Sequence, residues 1–330
     1  MYPVRNSVLA TLVFYDILDF PLTEREIFKY LINPTRVSLA SRPVLEIKTG
    51  DIQAELGNLK KLNFVDNKNG LFFLKGRGDV FNVREERTKI AKEKWNKFLK
   101  LAKWLQVAPY VRGFFVSGSL ALDNTDEESD FDVLFIIKLN RLYTARLFLL
   151  AVASILKARR RKTDTSAPDK LCFNHYISED SLHINHHSLF NAQFYAHLKP
   201  VFVSRELHDN FFAANSWINK YLYNFRPRKE FSNRDLRPNK ILRKISNIGE
   251  FLLDNKLGDI IETWAKWYQQ RRIKINPAIF NAGGRIIAND YELEFHPNSF
   301  ERFMLNKYNQ AVNKLGIVVP CEEKDSGLTS

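Results

Sequence analysis

Two cysteines in 330 residues, Cys172 and Cys321, are too few and too far apart for a disulfide framework or a thiolate metal site. That scarcity suits a reducing compartment, so a cytoplasmic protein is expected. Long apolar runs are missing as well. The most apolar stretch, Leu147 to Leu156, is half the length a bilayer span needs. The N-terminus is broken by Asp16 and Asp19 and makes a poor signal peptide, so no membrane partner is expected. Acid is the scarcer charge. Against 50 Lys and Arg stand 37 Asp and Glu, and the formal charge of +13 favours an anionic partner such as nucleic acid or nucleotide phosphate. What is plentiful is core material, 45% hydrophobic and 13% aromatic, which excludes global disorder. The length allows two or three domains.

The first domain is expected over residues 1–83. Val8, Leu9, Leu12, Val13 and Ile17 recur at helical spacing within residues 6–19. Thr23 and Glu26 have the spacing of a capping box and should start a second helix. A third helix fits Asp51 to Leu62, with Ile52, Leu56, Leu59 and Leu62 on one face. Asn69-Gly70 then joins two apolar runs, Phe64-Val65 and Leu71 to Leu74, as a hairpin turn does. Three helices and a hairpin resemble a winged helix-turn-helix over roughly residues 5–78. Such a unit either meets nucleic acid, here near Lys60 and Lys61, or serves as a packing module.

An amphipathic helix over residues 84–107, with Trp95, Phe98 and Leu105 on its stripe, leads into a second domain at 84–205. From 206 to 330 the chain reads as a helical region. It has long amphipathic stretches at 239–273 and 299–315, a charged connection at 226–238 and a polar tail at 321–330.

Residues 112–138 carry the chemistry. An apolar run from Gly113 to Ser117 stops at Gly118-Ser119, and a polar loop from Asp123 to Glu128 follows. The chain then returns as Ser129-Asp130-Phe131-Asp132 and a buried strand to Ile137. Two positions apart on a strand, Asp130 and Asp132 project from one face while Phe131 and Val133 take the other. Carboxylates that close repel, and a divalent cation relieves the repulsion; all-oxygen ligands suit Mg²⁺ or Mn²⁺ with phosphate oxygens. Gly118 lets the backbone come close to a phosphate, and Ser119 adds a hydroxyl. Alternatively, the two acids merely extend the acidic loop.

A strand ending in Gly-Ser, then Asp-x-Asp heading an apolar strand, resembles the nucleotidyltransferase superfamily of the DNA polymerase β-like type. The matching residues are Gly118, Ser119, Asp130 and Asp132. The resemblance implies an α/β (α+β) core with a mixed sheet, flanked here by the winged-helix-like domain and the helical C-terminal region. It also implies nucleoside monophosphate transfer from a nucleoside triphosphate, a Mg²⁺ (or Mn²⁺) site at Asp130 and Asp132, and a third carboxylate on a later strand. The next strand, Lys170 to Ile177, contains no acid. Asn174 stands where that carboxylate is expected, with His175 on the opposite side of the strand, and Asp169, Glu179 and Asp180 only flank it. Asn174 ligates the metal, or His175 acts as base, or a flanking acid folds in, or the site binds nucleotide without turnover as part of a degenerate regulatory protein. The remaining candidates are weaker. His183, His186 and His187 match no standard zinc spacing. The Arg159 to Lys162 loop could meet phosphates or simply be solvated. Gly283-Gly284-Arg285 lacks the strand-to-helix context of a phosphate loop. Trp264 and Trp267 read as core positions of an amphipathic helix.

Overall fold

In a computed structural model of the chain, the described residues are 2–37, 46–160, 166–227, 232–275, 284–296 and 299–317. Arg161, Lys162, Gly283 and the 321–330 tail lie outside them.

The N-terminal unit holds helices α1 (Tyr2–Asp16), α2 (Glu24–Lys29) and α3 (Thr49–Lys61). Beside them lies a three-stranded antiparallel sheet of β1 (Leu22–Thr23), β2 (Val65–Lys68) and β3 (Leu71–Leu74), in the order β1-β3-β2. Thr23 and Glu26 form the capping box: Glu26 N donates to Thr23 Oγ1 at 3.2 Å, and Thr23 N donates to Glu26 Oε2 at 2.8 Å. Asn69 and Gly70 both take positive φ, 51° and 80°, which is how a two-residue turn matches the twist of its strands.

Helix α4 (Val80–Ala102) runs from this unit to a six-stranded mixed sheet of order β7-β4-β5-β6-β9-β8. The strands are β4 (Val111–Val116), β5 (Phe131–Ile137), β6 (Leu171–Ser178), β7 (Lys199–Phe202), β8 (Arg285–Ala288) and β9 (Glu292–His296). Only β5 and β6 pair in parallel, and the crossover such a pair requires is α6 (Leu142–Ile155). Short α5 (Gly118–Ala121) follows β4. Phe131 and Phe135 turn to one face of the sheet, edge-on to Phe98 and Phe173 respectively. Leu134 and Ile136 turn to the other, where α7 (Leu189–Ala196) and α8 (Arg205–Ala214) cover them. The apolar cluster on that second face continues without a break into the N-terminal unit, through Phe14 and Tyr15 of α1. Asp132 belongs to the same face, so the N-terminal unit sits over the carboxylate end of the sheet.

The region beyond residue 205 is not purely helical. Besides α8, α9 (Ile218–Tyr221), α10 (Lys240–Leu253), α11 (Lys256–Lys274) and α12 (Glu301–Lys314), it supplies β8 and β9 to the central sheet. Leu293 and Phe295 alternate with Glu292, Glu294 and His296, a period of two that charged residues disguise. The expected helical stretch 239–273 is two helices. Asn255 breaks it by accepting from Leu257 N and Gly258 N, and Gly258 is glycine because a Cβ there would strike the Leu253 carbonyl. Trp264 and Trp267 are not core: they are 55% and 56% exposed, because α11 buries Ala265, Gln269 and Ile273 instead. No helix of the described residues is long and apolar enough to cross a membrane.

Candidate metal and nucleotide site

Strand β4 delivers Gly118 to the edge of β5. Ser117 N donates to the Asp132 carbonyl at 3.0 Å, which fixes the turn against the carboxylate strand. Gly118 adopts φ +64°, and a Cβ on it would fall on Asp132 Oδ2. Both the left-handed backbone and the close approach therefore require glycine here.

Asp130 and Asp132 come to one side of β5 as their spacing implies. Asp130 pairs with the Arg160 guanidinium, and Asp132 Oδ1 accepts from Asn174 Nδ2 at 2.8 Å. Burial, reinforced by the neighbouring Asp130 charge, pushes the Asp132 carboxyl up to about 6; His296, Arg160 and Asn174 pull in the opposite direction. The third ligand-bearing side chain within 4.8 Å of this pair is the Cys172 thiol. Burial and the two carboxylates push that thiol up, so with no cation beside it the thiol stays protonated. Among the described residues no third carboxylate joins the pair.

Asn174 lies beside Asp132, and one expectation about its neighbour is corrected. Asp132 pairs with Cys172 and Leu134 with His175, so β6 carries one residue more than β5 between these points. This bulge brings Asn174 and His175 to the same face rather than opposite ones. Asn174 meets Asp132; His175 Nε2 lies 3.0 Å from Glu292 Oε1 and its ring is buried against Tyr195, away from the carboxylate pair. Nor do the flanking acids fold in: Asp169 binds Lys94 and Lys97, and Glu179 binds Arg112.

Strand β9 completes the site, with residues that the sequence did not single out. Asn174 Nδ2 also donates to His296 Nε2, at 3.1 Å, and His296 Nδ1 lies 2.9 Å from Glu294 Oε1. Burial raises the Glu294 carboxyl, but His175, the His296 hydrogen bond and Arg285 outweigh it and hold it well below the usual range. An ionised Glu294 accepts, so His296 carries its proton on Nδ1 and turns an Nε2 lone pair toward Asn174. Arg285 anchors Glu294 through contacts of 2.6 and 2.7 Å and reaches Glu301 at 2.9 Å. Arg285 follows the Gly283-Gly284 pair and enters the site as this anchor.

A cleft of about 490 Å³ opens in front of these groups. Gly118, Ser119, Asp132, Asn174 and His296 are among its polar lining residues, and Phe14, Leu18, Leu122, Phe190 and Phe194 among its apolar ones. Of the three clustered histidines, His183 contacts the Ala214 carbonyl, His186 contacts Glu301, and His187 contacts the Ile184 carbonyl and stacks on Trp217. They have separate partners and form no ligand group among the described residues.

Protein-family models, curated proteins and solved structures were all searched, and none matches the chain.

Proposed function

We propose that the chain is a nucleotidyltransferase, moving a nucleoside monophosphate from a nucleoside triphosphate to an acceptor hydroxyl with release of pyrophosphate. The observation that carries this reading is the packing of Gly118 on the Asp132 carboxylate in the wall of a cleft that apolar side chains also line, with Asp130 close to Asp132.

The donor set fits Mg²⁺ or Mn²⁺: two carboxylates, one of them held at about 6 by a buried, like-charged setting that a divalent cation would relieve, beside a thiol that stays protonated. Asp130 and Asp132 would hold the ion, which supplies charge neutralisation for the triphosphate and the departing pyrophosphate. Asn174 presents its Nδ2 hydrogens to Asp132 and His296, so it orients both groups and would reach a cation through Oδ1 only after the amide turns over. The backbone at Gly118 and the Ser119 hydroxyl face the phosphates, and the apolar side chains of the cleft pack on the nucleoside. Once the Asn174 amide turns away from it, His296 Nε2 receives the proton as the acceptor oxygen bonds to the α-phosphorus and the α–β phosphoanhydride bond breaks; Glu294 stabilises the resulting imidazolium. The charge of +13 makes nucleic acid the acceptor class we favour, although Lys60 donates to Asn67 within its own unit.

The test is calorimetry with each nucleoside triphosphate. Binding should require Mg²⁺ or Mn²⁺ and disappear in the double variant Asp130→Asn/Asp132→Asn with its melting transition intact. Equal, metal-independent binding by that variant rejects the proposal. The absence of a third carboxylate beside the pair among the described residues favours a second reading, a regulatory protein that binds nucleotide without turnover. Mg²⁺-dependent binding with no pyrophosphate released, over a panel of RNA and protein acceptors, selects it.

A further inference from the structure

Helices α10 and α11 are amphipathic in an unusual sense: each has an apolar face turned to solvent as well as one packed on the protein. Helix α10 buries Leu242 and Ser246 and lays Gly249 on Pro109. Ile241, Ile245, Ile248 and Leu252, spaced four, three and four apart, share another face and are all exposed, Ile241 at 72%. Phe251, 82% exposed, borders it. On α11, Leu257, Ile260, Trp264 and Trp267 repeat the pattern. The two helices follow one another directly, with Asp254-Asn255 at the corner between them. Isolated exposed apolar residues are ordinary, but an exposed apolar face on each of two consecutive helices marks contact with something apolar.

The charges around the face identify what covers it. The three acids of the two helices and Asp254 at the corner all bond to the rest of the protein: Glu250 to Arg112, Asp254 to Lys138, Asp259 to Arg141, and Glu262 to the amides of Tyr143 and Thr144. Lys240, Lys244, Lys256 and Lys274 are exposed and form no ion pair among the described residues. Arg271 and Arg272 lie against Trp267 and Tyr268. The acids near the face are thus paired, and the charges there that form no ion pair among the described residues are positive. A second copy of the chain would bring lysines against lysines, and nucleic acid would leave isoleucine and leucine in water.

We propose that the α10–α11 face seats on the surface of an anionic phospholipid bilayer. Ile248, Phe251, Leu252 and Leu257 enter the acyl boundary, Trp264 and Trp267 lie at headgroup level, and the lysines meet lipid phosphates. No helix of the described residues is long and apolar enough to cross a membrane, so the contact proposed is with the surface alone. The inference does not depend on the transferase reading, since none of these residues lines the cleft.

The full-length protein is floated with vesicles of phosphatidylcholine alone or mixed with phosphatidylglycerol, and its mass is followed by sedimentation. Binding to the mixed vesicles only, weakening with salt, is the expected result. The variants Phe251→Gln/Trp264→Gln and Lys240→Ala/Lys244→Ala/Lys256→Ala/Lys274→Ala should each reduce partitioning by about tenfold or more, with circular dichroism unchanged. All substituted side chains are exposed, so the variants are expected to fold. No binding to mixed vesicles, equal binding to neutral ones, or a dimer that the Phe251→Gln/Trp264→Gln variant dissolves each overturns the proposal.

Discussion

Asn174→Asp restores the carboxylate that the resemblance leads one to expect, and its cost can be worked from the contacts. The wild-type amide donates to Asp132 at 2.8 Å and to His296 at 3.1 Å. A carboxylate can donate neither bond, and two lost hydrogen bonds amount to about 2 kcal/mol. The new charge also faces an acid already pushed from 3.8 to about 6, a shift equivalent to about 3 kcal/mol. Two carboxylates at that separation cannot both ionise cheaply, so they share a proton. Both then have folded-state pKa values above their unfolded ones. Stability is retained below the unfolded values and lost as pH rises through the folded ones. Metal-free Asn174→Asp should therefore be destabilised by about 3–5 kcal/mol at pH 8 and by much less at pH 5. Mg²⁺ replaces the shared proton and should recover most of the loss at pH 8, with tighter binding than in the wild type. Thermal unfolding at both pH values, with and without Mg²⁺, measures all of this. A loss equal at the two pH values and untouched by Mg²⁺ would refute the placement of Asn174 beside the cation site.

Gly118→Ala forces a Cβ into the left-handed region, about 1–2 kcal/mol, and onto the Asp132 carboxylate, so Mg²⁺-dependent nucleotide affinity should fall about tenfold or more. Gly57→Ala, which meets nothing within 4 Å on α3, is the control, and equal effects of the two would sink the idea. Because Asp132 titrates at about 6, Mg²⁺ affinity should drop about tenfold per pH unit below that value and level off above it; a flat profile from pH 5 to 7 contradicts the assignment. His296→Ala should lower any transfer rate by about 10²–10⁴ while nucleotide affinity holds, and an unchanged rate would dismiss His296 as base.

What was legible in the sequence is what is local. Gly118, Asp130 and Asp132 lie within one strand–loop–strand segment, and two periods, 2.0 for strands and 3.6 for helices, suffice to place them. The capping box at Thr23 and the turn at Asn69-Gly70 are legible for the same reason. Asn174 was found at the right strand, but its relation to His175 was not, since alternation assumes an unbroken ladder and β6 carries an extra residue between Cys172 and His175. Glu294, His296 and Arg285 were invisible for another reason. They enter the sheet more than 100 residues after β6, and no local signal says that β9 pairs with it. The alternation of Glu292 to His296 could have suggested a strand, yet only the pairing gives those polar residues their role. The tryptophans of α11 failed from an assumption about burial: amphipathicity shows that a helix has an apolar face, not which partner covers it.

The N-terminal unit could be a separate module tethered to a catalytic core, and the contacts argue against that. Asn124, in the loop just after the Gly118-Ser119 turn, donates to the Leu18 carbonyl at 2.9 Å, and Arg87 donates to Leu18 and to Asn124. Farther in, Tyr15 donates to Gln193 at 2.6 Å, Gln193 donates to the Tyr30 carbonyl at 3.2 Å, and His197 stacks on Tyr30 at 3.9 Å. Burial, with Lys199 adding, lowers His197 to about 3, so the ring is neutral at any physiological pH and adds no charge of its own to the junction. A hinge between domains is usually wet and sparsely bonded, whereas this junction is apolar with its polar atoms paired. Phe14 and Leu18 of the same unit form a wall of the cleft. A ligand in the cleft therefore touches both units at once. Anything that binds the outer face of the N-terminal unit and shifts α1 must change affinity in the cleft, and a ligand in the cleft must change binding outside by the same factor.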